Sequence, residues 1–206
     1  MTSPIFKKVL VLSPHTDDGE LGAGGTIARL VETGSEVTYF AFSVPKTQLK
    51  DECNKSLEVL GVTDSKMFDI EVRRFPKQRQ AILDILYAYY KDTETDLVLT
   101  PSTNDLHQDH QTVTNEALRL FKDSTILGYE LPWNLIVFRE SCFIPLEHRH
   151  VKKKIQALWN YKSQIEAERQ YFNKEYLESL MRSRGLKIKK KYAEAFEAIK
   201  VVFKSL

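Results

Sequence analysis

Hydrophobic and polar positions follow two rhythms along this chain. Lys8 to Ser13 is a short, continuous apolar run that stops at Pro14, the signature of a strand buried on both faces. Between Gly22 and Thr33, Ile27, Leu30 and Val31 recur at helical spacing, and Gly34 supplies a stop. The alternation continues. Strands are predicted over Glu36–Ser43, Lys66–Ile70, Asp96–Thr100 and Thr125–Tyr129. Helices are predicted over Leu49–Leu60, Lys77–Lys91 and His110–Phe121. Strands alternating with helices predict an α/β fold: a mostly parallel sheet flanked by helices, with ligands gathering at the carboxyl ends of the strands. After Leu131 the rhythm changes. Leu135–Glu140 and Cys142–Leu146 read as strands, and Glu147–Tyr161 and Ile165–Arg182 as helices. Tyr192–Phe203 carries no clear period. This last third forms a C-terminal helical and strand extension of the same unit.

Composition narrows the classes. The 206 residues suffice for one domain, and 42% hydrophobic with 28% charged residues is ordinary for a folded protein. No apolar run is long enough to span a bilayer, and the N-terminus lacks a signal-peptide core. Cys53 and Cys142 have no metal-type spacing, so a reduced, cytoplasmic protein is expected. The net charge of +2 is too small to indicate nucleic acid, and no nucleic-acid motif occurs. Charge is nonetheless uneven: residues 147–191 hold 13 Lys/Arg against 5 Asp/Glu. That segment is either a solvated helix face or an attractor for an anionic substrate or membrane surface.

The chemistry concentrates in two loops that follow strands. Pro14-His15-Thr16-Asp17-Asp18 places an imidazole and two carboxylates where the first strand ends. His107-Gln108-Asp109-His110 lies in the polar loop after the strand ending at Thr100. Two imidazoles and a carboxylate suffice to hold a divalent transition metal with open positions for water. A further imidazole and two carboxylates remain for proton transfer, the set that metal-assisted hydrolysis requires. Asp17 and Asp18 can also be read as a helix N-cap pair. Gly22-Ala23-Gly24-Gly25 fails the dinucleotide fingerprint, because Ile27 stands where a third glycine is needed. Close helix packing accounts for it better.

These residues resemble a known family. Ser13-Pro14-His15-Thr16-Asp17-Asp18 through Gly25-Thr26, with His107-Gln108-Asp109-His110, is similar to the LmbE/PIG-L-type de-N-acetylases. Glu52, Leu60-Gly61-Val62, Lys162-Ser163-Gln164 and Tyr192 to Phe196 resemble further family patterns. The resemblance implies one Rossmann-like domain over residues 1–206 and removal of acetyl from an N-acetylglucosamine-type sugar. It implies Zn2+ (Fe2+ or another divalent transition metal being alternatives) on His15, Asp18 and His110. It further implies Asp17 as general base, His107 as a charged oxyanion partner and Asp109 as the residue orienting His107. The chain departs from the family at Thr16, where Pro is usual, and at Gly19, where Glu is usual and Glu20 follows. Leu49 stands where many sugar-thiol members carry Arg. Two other readings are a non-catalytic, metal-stabilised sugar-binding module and a non-haem Fe(II) oxygenase. The oligomeric state is not legible.

Overall fold

A computed structural model describes residues 4–204. Seven strands form one sheet: β1 (Lys8–His15), β2 (Glu36–Ser43), β3 (Asp64–Met67), β4 (Leu97–Pro101), β5 (Thr125–Tyr129), β6 (Cys142–Leu146) and β7 (Tyr192–Lys200). Their order is β3-β2-β1-β4-β5-β7-β6. The first five run parallel, and β7 is antiparallel to both its neighbours. The helices are α1 (Asp18–Glu32), α2 (Thr47–Leu60), α3 (Arg79–Asp92), α4 (Gln108–Leu120), α5 (His148–Leu158), α6 (Lys162–Glu166) and α7 (Lys174–Leu186).

The continuous apolar runs arise because both faces of the sheet are covered. Val9, Val11, Tyr39, Leu97 and Leu99 face a core shared with α1, α2, α5 and α7. Leu10, Leu12, Phe40, Phe42 and Val98 face a second core shared with α3 and α4. The strand order reverses at β1, which has β2 on one side and β4 on the other. That switch point leaves a crevice at the carboxyl ends of β1 and β4, where α1 and the loop into α4 begin.

The Gly-rich stretch lies inside α1 and serves packing. A Cβ on Gly22 would fall 2.3 Å from Tyr129 Cδ2, and one on Gly25 would fall 2.5 Å from Leu146 Cδ1. Glycine there lets α1 lie close against the sheet, with its N-terminus held at the crevice. A buried ion pair crosses the same stretch. Lys154 Nζ donates to Glu194 Oε1 at 2.6 Å and to the Leu21 carbonyl at 2.6 Å, and Glu194 accepts from the Gly25 and Thr26 backbone N–H groups.

Three expectations for the last third need correction. Leu135–Glu140 is not a strand: no strand among the described residues pairs with it, and Ile136 is 84% exposed. Its β-branched composition mimics a strand, but strand propensity requires a pleated, half-buried surface to act on. The helix expected over Ile165–Arg182 is two helices, α6 and α7, separated by irregular chain. Asn173 supplies the break, its side chain accepting from Tyr176 N at 3.0 Å as an N-cap. The unassigned tail is β7, a central strand. Its period is masked because two of its acids are buried and bonded: Glu194 as above, and Glu197 by Ser102 and Thr103.

Candidate active site

The two loops singled out in the sequence meet at the crevice. His15 is the last residue of β1, Asp17 and Asp18 open α1, and His107 to His110 open α4. Asp18 Oδ2 accepts from the His15 backbone N–H at 2.8 Å, which folds the turn back on itself. The same oxygen lies 3.0 Å from His15 Nδ1 and 3.2 Å from His110 Nε2, and those two nitrogens are 3.3 Å apart. A tetrahedral ion with bonds of about 2.0–2.1 Å separates its donors by about 3.3–3.4 Å, so this triangle has the dimensions of a coordination edge set.

The far nitrogens of both rings are held by buried carboxylates. His15 Nε2 lies 3.2 Å from Asp109 Oδ2, and His110 Nδ1 lies 2.8 Å from Asp105 Oδ2. Asp109 and Asp105 are themselves fixed. Asp109 accepts from the Arg73 and Phe75 backbone N–H groups at 2.6 and 3.3 Å, and Asp105 from the His107 N–H at 2.8 Å. Such carboxylate–imidazole pairs set the tautomer and ring orientation of a metal-binding histidine and leave its inner nitrogen free to coordinate. Sequence reasoning missed Asp105. It sits in the polar loop without a distinguishing motif, and its spacing from His110 matches no signal that composition could reveal.

Two expected roles change here. Asp109 was expected to orient His107, but its carboxylate faces His15, and only its backbone N–H meets His107, donating to Nδ1 at 3.2 Å. His107 was expected to carry charge. Burial, then the neighbouring positive charges of His110 and His15, lower its pKa instead. Its Nδ1 accepts a hydrogen bond, so the neutral ring carries its proton on Nε2. His107 stacks on His110 with centroids 4.5 Å apart.

The electrostatics favour a cation at the triangle. Burial opposes charge on His15, yet Asp18 and the bonds from Asp109 and Asp18 outweigh it and lift its pKa to about 10. Asp18 and Asp105 likewise overcome burial at His110, lifting it to about 9. Burial opposes ionisation of Asp18 too, but the charges of His110 and His15 outweigh it and hold its carboxyl well below the usual range. Asp17 behaves oppositely: burial and then the Asp18 charge raise it to about 7. Among the described residues no other side chain hydrogen-bonds the Asp17 carboxylate.

The turn carrying these groups is anchored from below. The Thr16 carbonyl accepts from Tyr161 Oη at 2.6 Å and Tyr39 Oη at 3.2 Å. Both hydroxyls also lie within hydrogen-bond distance of buried Glu20, so each tyrosine proton is shared between that carbonyl and the carboxylate, and Ser56 donates to Glu20 at 2.8 Å. Glu52 holds Ser163 through its N–H at 2.9 Å and its hydroxyl at 2.6 Å, which fixes Gln164 at the rim. The cleft has a volume of about 440 Å³, and its walls include Asp17, His107, Trp133 and Tyr171. Arg73 and Arg169 also line it, and neither forms an ion pair among the described residues. Arg169 is the one cation of residues 147–191 that does so.

Comparison with known proteins adds the lineage. Residues 10–121 match PIG-L: GlcNAc-PI de-N-acetylase. The chain belongs to the PIG-L family. It is 26% identical over 169 residues to the uncharacterized deacetylase YaiS of Escherichia coli (strain K12), spanning 76% of this chain and 91% of that one. Its fold matches N,N'-diacetylchitobiose deacetylase from Pyrococcus horikoshii with a TM-score of 0.71 at 20% identity, covering 95% and 85% of the two chains. It also matches GalB, the 4-carboxy-2-hydroxymuconate hydratase of Pseudomonas putida KT2440, with a TM-score of 0.74 at 20% identity over 97% and 99%. At such identities the structural likeness shows the fold alone, and the family's fold hosts more than one reaction. The His15, His107 and His110 cluster could hold a metal ion, with one ring nitrogen from each within 4.8 Å of the others. Among the described residues no helix is long and apolar enough to cross a membrane.

Proposed function

We propose that this chain is a zinc-dependent hydrolase that removes the acetyl group from an N-acetylglucosamine-type sugar in the cytoplasm. The observation that carries the reading is the pair of buried carboxylates, Asp109 and Asp105, behind His15 and His110. They orient two inner nitrogens toward Asp18, and His15, Asp18 and His110 are the residues that would hold the ion. Their donor atoms lie within 3.3 Å of one another, a tighter set than the three histidines. A bound divalent ion supplies hydroxide at neutral pH and polarises the acetamide carbonyl.

The rest falls to the chain. Asp17, without a side-chain hydrogen-bond partner, takes the proton of the attacking water. His107, neutral with its proton on Nε2, donates to the oxyanion that forms as the carbonyl becomes tetrahedral. The proton held by Asp17 then passes to the departing sugar nitrogen, so the C–N bond breaks to acetic acid and a neutral amine, and the acid ionises to acetate by giving its proton back to Asp17. A sugar-binding module needs neither group, and an Fe(II) oxygenase needs no base beside its ion. Acetate release from a panel of N-acetyl sugars, measured with zinc and with Fe(II), tests the proposal. The expected result is stoichiometric acetate and free amine. Binding without acetate would support the module, and turnover that depends on Fe(II) and oxygen would support the oxygenase.

A further inference from the structure

The general base of the proposed reaction is held in an indirect way. Asp17 is the N-cap of α1 but makes no side-chain capping bond, and no other side chain among the described residues bonds its carboxylate. Its position therefore comes through its backbone. On one side the Asp17 carbonyl accepts from the Leu21 N–H at 2.9 Å, within the first turn of α1. On the other side the peptide bond to Thr16 is planar, so the direction of the Thr16 carbonyl fixes the plane from which Asp17 departs. Two phenols converge on that carbonyl, Tyr161 Oη at 2.6 Å and Tyr39 Oη at 3.2 Å, and the Cys53 thiol lies 3.6 Å away. Tyr39 belongs to β2 and Tyr161 to the turn between α5 and α6, and both are fully buried. Glu20 bridges them: its Oε1 lies 2.6 Å from Tyr161 Oη, and its Oε2 bonds Tyr39 Oη.

Gly19 belongs to the same arrangement. A Cβ there would fall 2.7 Å from Tyr39 Oη and 2.8 Å from Tyr39 Cε2. The glycine that departs from the family pattern thus admits a phenol to the Thr16 carbonyl, and Glu20, the next residue, holds that phenol in place. Neither tyrosine lines the cleft, so neither touches substrate. We infer that Tyr39 and Tyr161 are positioning residues for the general base: they fix the Thr16–Asp17 peptide and thereby aim the Asp17 carboxylate at the attacking water. The inference rests on the proposed de-N-acetylase reading and adds to it two residues that act on the reaction without meeting the substrate. Geometry of this kind matters to rate, since a misplacement of about 1 Å can cost on the order of a hundredfold.

The test measures kcat, KM and bound zinc for zinc-loaded Tyr161→Phe and Tyr39→Phe, with whichever N-acetyl sugar of the panel gives most acetate. Each variant should lose at least about tenfold in kcat, with KM and zinc content within about twofold of the wild type. Gly19→Ala keeps both hydroxyls but displaces the Tyr39 ring, and it should match Tyr39→Phe. Ser124→Ala separates mispositioning from a general loss of stability. It removes a buried hydroxyl that donates to the Thr95 carbonyl at 2.8 Å, at the amino ends of the strands, and should leave kcat unchanged. Wild-type kcat in a folded Tyr161→Phe, or a loss carried by KM or by missing zinc, would overturn the inference. Tyr39→Phe and Gly19→Ala decide it if Tyr161→Phe fails to fold by circular dichroism. If the wild type releases acetate from no sugar, the proposed function has failed, and amide hydrogen exchange reads the positioning instead. With zinc bound, the stretch from Ser13 to Leu21 should exchange at least about tenfold faster in Tyr161→Phe than in Ser124→Ala. Equal exchange in the two variants would overturn the inference.

Discussion

Asp17 and Asp18 are adjacent in sequence and opposite in character. Asp18 lies between two imidazoles, whereas Asp17 has no side-chain hydrogen-bond partner among the described residues and a raised pKa. The account therefore expects Asp18→Ala to lose the metal, while Asp17→Asn keeps it and loses at least about a hundredfold in kcat, within the usual reach of general-base catalysis. Elemental analysis beside rate measurement checks this, and equal metal loss in both variants would refute the division of labour. Asp105→Asn and Asp109→Asn should each weaken metal affinity by roughly 10–100-fold, the common effect of removing a carboxylate behind a ligating histidine. A competition titration with a chromogenic chelator reads that directly. The contrast between these acids also marks what sequence could show. His15, Asp17, Asp18, His107 and His110 declare themselves by clustering at strand ends. Asp105 does not, and Asp109 reaches across 94 residues to His15, a contact that no local spacing encodes. Pairing Asp109 with His107 was the natural local reading. The loop geometry turns its carboxylate the other way.

At the level of elements, the parallel strands are legible because burial on both faces gives them uninterrupted apolar runs. Their order in the sheet is not, since it depends on which runs pair. The C-terminal third is harder for a physical reason: its signals are carried by buried polar groups. Lys154 and Glu194 read as surface charges but are buried together between α5, β7 and the glycines of α1. Breaking such a pair leaves an uncompensated buried charge, so Lys154→Met should cost about 3–5 kcal/mol. Urea unfolding gives the value. Adding Glu194→Gln should recover part of the loss, because the amide oxygen can still accept from Gly25 or Thr26 while the stranded charge is gone. A fully additive double variant would show that the pair is not coupled. Because α1 carries Asp18 at its first position, the same variant tests whether this packing also sets the site.

Across the whole molecule, the reversal of strand order at β1 brings two short loops, about ninety residues apart in sequence, into one crevice. Of the thirteen cations in residues 147–191, four form ion pairs among the described residues. Lys154, Arg149, Arg184 and Lys187 are engaged with carboxylates, and of the segment's cations only Arg169 lines the cleft. A variant with Lys152, Lys153, Lys189, Lys190 and Lys191 all changed to Gln should therefore keep kcat/KM within about twofold from low to physiological salt, where charges are screened over about 8 Å. A large, salt-dependent loss would restore the steering reading. The central claim is that catalysis depends on a metal held by His15, Asp18 and His110. The most direct measurement removes bound metal with a chelator, then follows acetate release from an N-acetylglucosamine sugar as zinc is added back. The account predicts negligible activity in the stripped protein and a linear return that saturates at one zinc per chain. Full activity after stripping, or no acetate at any zinc level, would contradict it.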